Sequence, residues 1–318
     1  MPTTDRSAAP QILQSFAQRY ANEQTAYKWN EIFAPVPVNK RSGKFKSIGS
    51  GLSFGDQTRA DSIREALASF PEVSYTISNT DGWFLREEGY KAAADKMDIA
   101  ESAEDGLDEQ EVAVATAVDA LNIAMERQAY ALVDAVSSTT LSGSDQWNAT
   151  GSDPRNQADA AADAFAAALG GADRSNIHLI CRPTVWTDLK KHTAAMTYFR
   201  TGELGGRQSL NEAQAAAWLE IGSVIVPRAT YNSADEGQTA SNGYVWTGDD
   251  VTFFYAPPSP MALRPNMAFA DFQKLGRPQG AVEQMDVGFR GVEYLVSYYH
   301  HMMVANSDAI LRYDDVLA

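Results

Sequence analysis

The sequence predicts a mixed α+β fold, and three observations carry that expectation. First, Leu107, Val114, Val118, Leu121, Met125, Ala129, Leu132 and Val136 recur at spacings of three, four or seven, the stripe of one long amphipathic helix. Second, short apolar or alternating runs such as "EVSYTISNT", "NIHLICRP", "GSVIVPRAT" and "VTFFY" have strand character and are bounded by turn residues. Third, helix-like and strand-like stretches are interspersed along the chain without an internal repeat.

Taken in order, residues 1 to about 30 are rich in Ala, Gln, Ser and Thr. A weak helical pattern at Ile12, Leu13, Phe16 and Tyr20 makes this segment an arm. The steps Ala34-Pro35 and Val36-Pro37 then force extended backbone and remove two amide donors, so this segment is neither a central strand nor a helix interior. "KFKSI" and "EVSYTISNT", with Val73, Tyr75 and Ile77 on one face, flank about 25 mostly polar residues and predict a long two-stranded excursion. An isolated hairpin of that kind is marginal in water, so it needs a surface to lie on.

From Gly82 the chain turns helix-like, and "LDEQEVAVATAVDALNIAMERQAYALVDAV" carries the stripe described above. At a rise of about 1.5 Å per residue, thirty residues reach about 45 Å, long enough for a spine. A coiled-coil arm is the other reading of this stretch, against which stand the dilution of the stripe with Ala and its shortness. "DPRNQADAAADAFAAALGG" has a cap at Asp153, Pro154 at the first helical position and a Gly-Gly stop. "NIHLICRP" predicts a buried strand ended by Pro183, "PTVWTDLKKHT" a short helix and "GSVIVPRAT" a further strand. "YVWTGDDVTFFYAPP" predicts two strands around a Gly-Asp turn, and the last 30 residues more apolar β-structure.

Composition narrows the function. A chain of 318 residues with 44% hydrophobic residues buries a real core and is expected to divide into subdomains. Its net charge of -15 argues against a protein whose main task is to grip phosphate backbones. One cysteine, Cys181, excludes an internal disulfide framework and fits a reducing compartment. Neither a secretory signal pattern nor a run of about 18 apolar residues is present, so a soluble, unsecreted protein without a membrane partner is expected.

Catalytic and ligand-binding signals are weak. His300 and His301 are adjacent in "YYHHMMV", where strand geometry sends them to opposite faces and away from a shared metal. His178 and His192 are isolated, without metalloprotease or zinc-ligand spacing. Cys181 lies in an apolar run, where a small buried hydrophobe is the expected role. "GSGLSFG" lacks the Lys-Ser/Thr of a phosphate loop, and "DIAESAEDGLDEQE" lacks the ligand order of a calcium loop. The expectation is no enzyme, no cofactor and no metal.

What the sequence does offer is surface that partners would cover. A basic extended stretch, with Lys40, Arg41, Lys44 and Lys46 and no acidic residue between Glu31 and Asp56, sits in an acidic chain. A run of carboxylates, Glu101, Glu104, Asp105, Asp108 and Glu109, precedes or opens the long helix, where negative charge also favours the helix N-terminus.

The order of these parts resembles the major capsid proteins of tailed bacteriophages, which share the Hong Kong 97 fold. "NEIFAPVPVNKRSGKF" looks like the passage from N-terminal arm to extended E-loop, and "EVSYTISNTDGWFLREEG" like the hairpin's return. "LDEQEVAVATAVDALNIAMERQAYALVDAV" looks like the spine helix of the peripheral domain. "SDPRNQADAAADAF" and "NIHLICRPTVWTDLKKH" are similar to the axial domain's helix-strand-helix passage, and "VEYLVSYYHHMMVANSDAILRYDDVL" to the returning peripheral strands. The resemblance covers nearly the whole chain and rests on the order of parts. It implies an arm over 1–33, an E-loop over 34–80, a peripheral domain with spine over 81–147, an axial domain over 148–280 and a return over 281–318.

The resemblance further implies a subunit that self-assembles through hexamers and pentamers into an icosahedral shell around phage double-stranded DNA. The DNA is enclosed without sequence-specific binding. The partners implied are further copies of the chain, a portal, a decoration protein and a scaffolding protein. Because no long charged helical region precedes the arm, scaffolding is expected from a separate protein, or the chain is the processed form. Its place is the virion capsid, assembled in the host cytoplasm. In such a shell Lys40, Arg41, Lys44 and Lys46 would meet Glu101, Glu104, Asp105, Asp108 and Glu109 of a neighbour, complementary charge choosing partner and register. A basic patch facing packaged DNA is the alternative. The same fold also builds encapsulin-type compartments that enclose protein cargo, and a soluble enzyme of another class is the third reading.

Overall fold

The computed structural model describes residues 7–8, 26–44, 47–48, 77–78, 82–105, 108–149, 151–169, 171–200, 209–234, 239, 241–257, 268–275, 281–286 and 291–318. The chain opens with β1 (Ser7–Ala8), α1 (Trp29–Ile32), β2 (Ala34–Val38), β3 (Ser42–Lys44), β4 (Ser47–Ile48), β5 (Ile77–Ser78), β6 (Gly82–Phe84) and β7 (Arg86–Asp95). Next come α2 (Lys96–Asp105), α3 (Glu109–Asp134), β8 (Ser138–Thr140), α4 (Arg155–Leu169), β9 (Ile177–Cys181), α5 (Pro183–Leu189), α6 (Thr193–Arg200) and α7 (Glu212–Leu219). The remainder is β-structure: β10 (Ser223–Ile225), β11 (Thr230–Asn232), β12 (Asn242–Tyr244), β13 (Val251–Tyr255), β14 (Phe269–Lys274), β15 (Ala281–Asp286), β16 (Gly291–Val304) and β17 (Ile310–Asp314). No described helix is long and apolar enough to cross a membrane.

The long helix forms as its stripe requires. Asp108 caps α3 by accepting the Gln110 N–H at 2.9 Å, and Glu109 and Glu111 place negative charge in the first turn. Val114, Val118, Leu121, Met125 and Ala129 are fully buried, Leu132 and Val136 pack half-buried at the edge, and Leu107 lies outside the described residues. Each fully buried Val, Leu or Met contributes roughly 1.5–3 kcal/mol relative to exposure. The face they form packs on β7 and β16.

β16 is the axis of a six-stranded sheet. Along one edge it pairs with β7, from Gly291 opposite Asp95 to His300 opposite Arg86. Along the other it pairs with β15 and then with β14. Val292, Tyr294, Val296, Tyr298, His300 and Met302 alternate onto the face buried against α3. β2 closes the sheet parallel to β14, and β1 closes the other end on β15. Pro35 and Pro37 thus sit on an edge strand, and because they share one strand parity their missing donors fall on one side.

Two antiparallel pairings fall in the expected excursion: β3 pairs with β6, Ser42–Lys44 against Gly82–Phe84, and β4 with β5, Ser47–Ile48 against Ile77–Ser78, while Val73 and Tyr75 lie outside the described residues. Its root is fastened to the outer face of the sheet. Trp83 stacks on Phe272, ring centroids 4.9 Å apart and 7° from parallel, over a small second core of Val36, Val38, Leu85, Ala270 and Phe272. Gly43 is required there, since a Cβ would lie 2.3 Å from the Trp83 ring.

The second sheet runs β10-β9-β13-β17-β8. β9 is buried except at His178, which is half-buried, as its mainly apolar run predicts, and Pro183 starts α5 one residue after it. α4 turns Ala158, Ala161, Ala162 and Phe165 to the core, and α7 begins with a capping box between Asn211 and Gln214. Two expectations change. β12 and β13 do not pair with each other across the Gly-Asp turn: β12 pairs with β11, and β13 lies between β9 and β17. Trp246, buried between them, takes the connection into the core instead of into a hairpin. The last residues also divide: β16 belongs to the first sheet, whereas β17 completes the second, so 281–318 is not one return. At the other end, Trp29, Ile32 and Phe33, counted with the arm in the sequence, are buried in the main core against the spine.

Candidate assembly interface

The basic stretch lies at the root of the hairpin. Lys40, Arg41 and Lys44 are exposed, and Lys46 lies outside the described residues. Arg41 is held by its own chain: its Nε donates to the Leu85 carbonyl at 3.4 Å, and its guanidinium lies 5.4 Å from the centre of the Phe84 ring, itself 50% exposed. Trp83 Nε1 donates to the Lys40 carbonyl at 3.4 Å. The root therefore presents cations and an aromatic ring on a fixed backbone. Among the carboxylates, Glu101 is exposed on α2, which also contains Glu104 and Asp105. Asp108 is exposed but engaged as the α3 cap, and Glu109 is half-buried.

The histidines and the cysteine take structural places. His300 is buried, its Nδ1 3.2 Å from Asp271 Oδ1, and its ring is stacked on Tyr298 at 4.8 Å. Tyr298 donates its hydroxyl to Asp271 at 2.9 Å. His301 points to the other face, where its Nδ1 accepts the Phe84 N–H at 3.4 Å and burial lowers its pKa. His178 lies 2.8 Å from the Ser223 hydroxyl. His192 and Ser152 are 3.1 Å apart beside a cleft of about 630 Å³ lined by Trp147, Asp153, Asp188 and Lys191. That pair is not an activated nucleophile, because Ser152 donates its proton to the Trp147 carbonyl at 2.9 Å and so receives the imidazole N–H. Cys181 is fully buried, and burial pushes its thiol up, away from the thiolate that chemistry would need. Among the described residues no group of three His, Cys, Asp or Glu is arranged to hold a metal.

Sequence reasoning missed two buried polar centres that fix the parts to one another. In the first, Arg182 at the end of β9 and Arg312 on β17 share Asp134 at the C-terminus of the spine and Asp250 before β13. Arg182 Nη2 lies 3.0 Å from Asp134 and 2.6 Å from Asp250; for Arg312 Nη2 the distances are 2.7 and 2.5 Å. Arg312 Nη1 also donates to the Val136 carbonyl at 3.0 Å, and the Arg182 guanidinium lies 5.1 Å from the Tyr130 ring centre. In the second, Glu126 of the spine is wholly buried and receives N–H groups from Lys28, Trp29 and Trp246. Burial outweighs those donors and raises its carboxyl to about 7.

No protein-family model and no curated protein matches the chain. Solved structures do. A phage-related protein from Bordetella bronchiseptica is similar over 98% of both chains, at 20% identity and a TM-score of 0.71. The capsid of cyanophage P-SCSP1u is similar over 89% of this chain and 86% of its own, at 12% identity and a TM-score of 0.54. The SrpI encapsulin of Synechococcus elongatus is similar over 91% and 87%, at 12% identity and a TM-score of 0.50. These likenesses show that the mixed helix-and-strand architecture is a capsid-type fold, consistent with the Hong Kong 97 fold.

Proposed function

We propose that the chain is a major capsid protein that assembles with copies of itself into a closed shell around phage double-stranded DNA. The observation that carries this reading is the likeness to the cyanophage P-SCSP1u capsid over 89% of this chain, supported by the likeness to a phage-related protein over 98% of both chains. The shell would form by repeated heterologous contacts that close into rings and then into a polyhedron. The hairpin root supplies one such contact: Lys40, Arg41, Lys44 and Lys46 meet Glu101, Glu104, Asp105, Asp108 and Glu109 of the next subunit. Scaffolding, portal and decoration proteins, and assembly in the host cytoplasm, belong to the same reading. An encapsulin-type shell around protein cargo is the second reading, favoured by the likeness to the SrpI encapsulin.

Light scattering and negative-stain microscopy of the purified protein, with and without a scaffolding protein, test shell formation. Closed particles or capsomer rings are expected, and a strictly monomeric protein under all conditions overturns the proposal. Nuclease-resistant DNA inside particles from infected cells identifies the capsid; co-purifying enclosed enzyme identifies the encapsulin.

A further inference from the structure

Large apolar side chains left in water gather at two places on the subunit. At the hairpin root Phe84 is 50% exposed, and so is more than half of Leu275, whose N–H donates to the Val38 carbonyl at 3.0 Å where β2 ends. At the start of the spine Met97 on α2 is 69% exposed and Val112 in the first turn of α3 is exposed as well, with Tyr90 exposed on β7, the strand on which both helices pack. These are five of the seven exposed large apolar side chains among the described residues. Single exposed apolar residues are ordinary, whereas gathered ones mark a surface that something covers.

The two clusters carry opposite charge. Arg41 lies over the Phe84 ring at 5.4 Å, and Lys40 and Lys44 are exposed in the same short stretch. Met97 and Glu101 are four residues apart on α2, as are Asp108 and Val112 at the opening of α3, a spacing that sets each carboxylate beside an apolar side chain. The clusters cannot meet within one subunit. β7 begins two residues after Phe84 and ends two before Met97, and its ten residues, paired to β16 throughout, hold the clusters about 30 Å apart. Because the two surfaces are unlike, a contact between them in two copies is head-to-tail, the kind that closes into rings.

We infer that the hairpin root docks on the spine start of a second copy with Phe84 as its apolar anchor, seated against Met97 and Val112 while Arg41 faces Glu101. The inference rests on the proposed self-association and adds to the charge clasp the part that carries its affinity. Complementary charge sets partner and encounter rate, whereas binding energy concentrates in a few buried aromatic and Arg side chains. Arg41 and Phe84 form such a pair already in place: the backbone under Phe84 is fixed by its pairing with Ser42 and by the N–H that it donates to His301, so little freedom is lost on docking. Covering the exposed half of the ring removes about 100 Å² of apolar surface from water, and Phe84→Ala is expected to weaken the contact roughly 50-fold.

Thiol cross-linking between full-length subunits tests it, since the one native cysteine, Cys181, is fully buried. Ser42→Cys and Ala100→Cys place thiols at exposed positions beside Phe84 and Met97 and leave the anchor intact. Mixed and treated with a short bis-maleimide, they should link at least about 10-fold faster than Ser42→Cys with Tyr198→Cys, which is equally exposed but stands on α6. Adding Phe84→Ala to the Ser42→Cys subunit should slow the link roughly 50-fold, and adding Met97→Ser to the Ala100→Cys subunit about 10-fold. The second variant leaves the hairpin untouched, so slowing there is not a loosened root. A 42–100 link no faster than the control, or slowed less than about 3-fold by both variants, overturns the anchor. Shells that form without the link overturn the anchor alone. Linked chains that never close count against the shell and support the anchor, and a wild type that stays monomeric at every concentration overturns both.

Discussion

Replacing Asp250 with Asn tests whether the spine is bonded to the second sheet by charge. Arg182 and Arg312 have only 5% and 11% of their side chains exposed, and Asp250 at 10% is as deeply placed as they are. Two guanidiniums this close repel each other unless two carboxylates stand between them. Asp250→Asn keeps the volume and removes one, leaving a buried cation that Asp134 alone cannot balance. Breaking a buried pair in this way costs about 3–5 kcal/mol. Because Asp134 still reaches both arginines, the lower end, about 3 kcal/mol, is expected. Unfolding entropy near 2.1 cal/mol/K per residue makes this about 5 °C in Tm for a chain of this length. Asp134, 42% exposed, already shares its charge with water, so Asp134→Asn should cost about 1 kcal/mol or less. Urea unfolding of the unassembled subunit, followed by circular dichroism, measures both. Asp250→Asn within about 1 kcal/mol of wild type, or equal to Asp134→Asn, would refute the reasoning.

Further outcomes are expected. Gly43→Ala pushes a methyl group into the Trp83 ring and should destabilise the hairpin root by about 1–3 kcal/mol, read as faster proteolysis within residues 39–84 at unchanged core melting. Deletion of residues 1–25 should spare cooperative melting while impairing assembly, whereas deletion of 1–33 removes Trp29, Ile32 and Phe33 from the core and should abolish it. Reversing Lys40, Arg41, Lys44 and Lys46 to Glu should leave the subunit folded and weaken assembly, with added salt giving partial rescue; normal empty shells at low salt would sink the clasp. Glu126 binds its proton more tightly folded than unfolded, so its contribution is favourable below pH 4.5 and is lost as pH rises to about 7. Urea midpoints across that window should show a loss of about 3 kcal/mol that Glu126→Gln lacks.

The parts whose physics is periodic were legible. The spine stripe named its own buried face, because a helix packed on a sheet must repeat its apolar residues at three and four. The Pro35 and Pro37 pair excluded a central strand, because it removes two ladder donors, and the segment lies on an edge strand. Adjacent His300 and His301 had to diverge, and do, one to Asp271 and one to Phe84. Pairing between distant segments has no such signature. Nothing in "YVWTGDDVTFFY" says that its two strands enter different sheets; a buried tryptophan between them is the only local sign.

The buried polar centres were hidden for a different reason. Arg182, Asp250 and Arg312 are 68 and 62 residues apart along the chain, the first just after β9, the second just before β13 and the third in the middle of β17. Only the antiparallel pairings of β13 with β9 and with β17 bring them together. Glu126 did leave a trace. One residue after Met125, it lies beside the apolar stripe, where a carboxylate on the solvated face would be expected, and Arg127 beyond it supplies a nearby charge. A charged residue bordering such a stripe is more often solvated than buried. What decides the matter is the segment that crosses there: α1 arrives with two unsatisfied amide donors at its start, and a short helix end that packs on another helix needs an acceptor from it. The root of the arm thus selects the carboxylate: two backbone donors and an indole N–H converge on the two oxygens of one side chain.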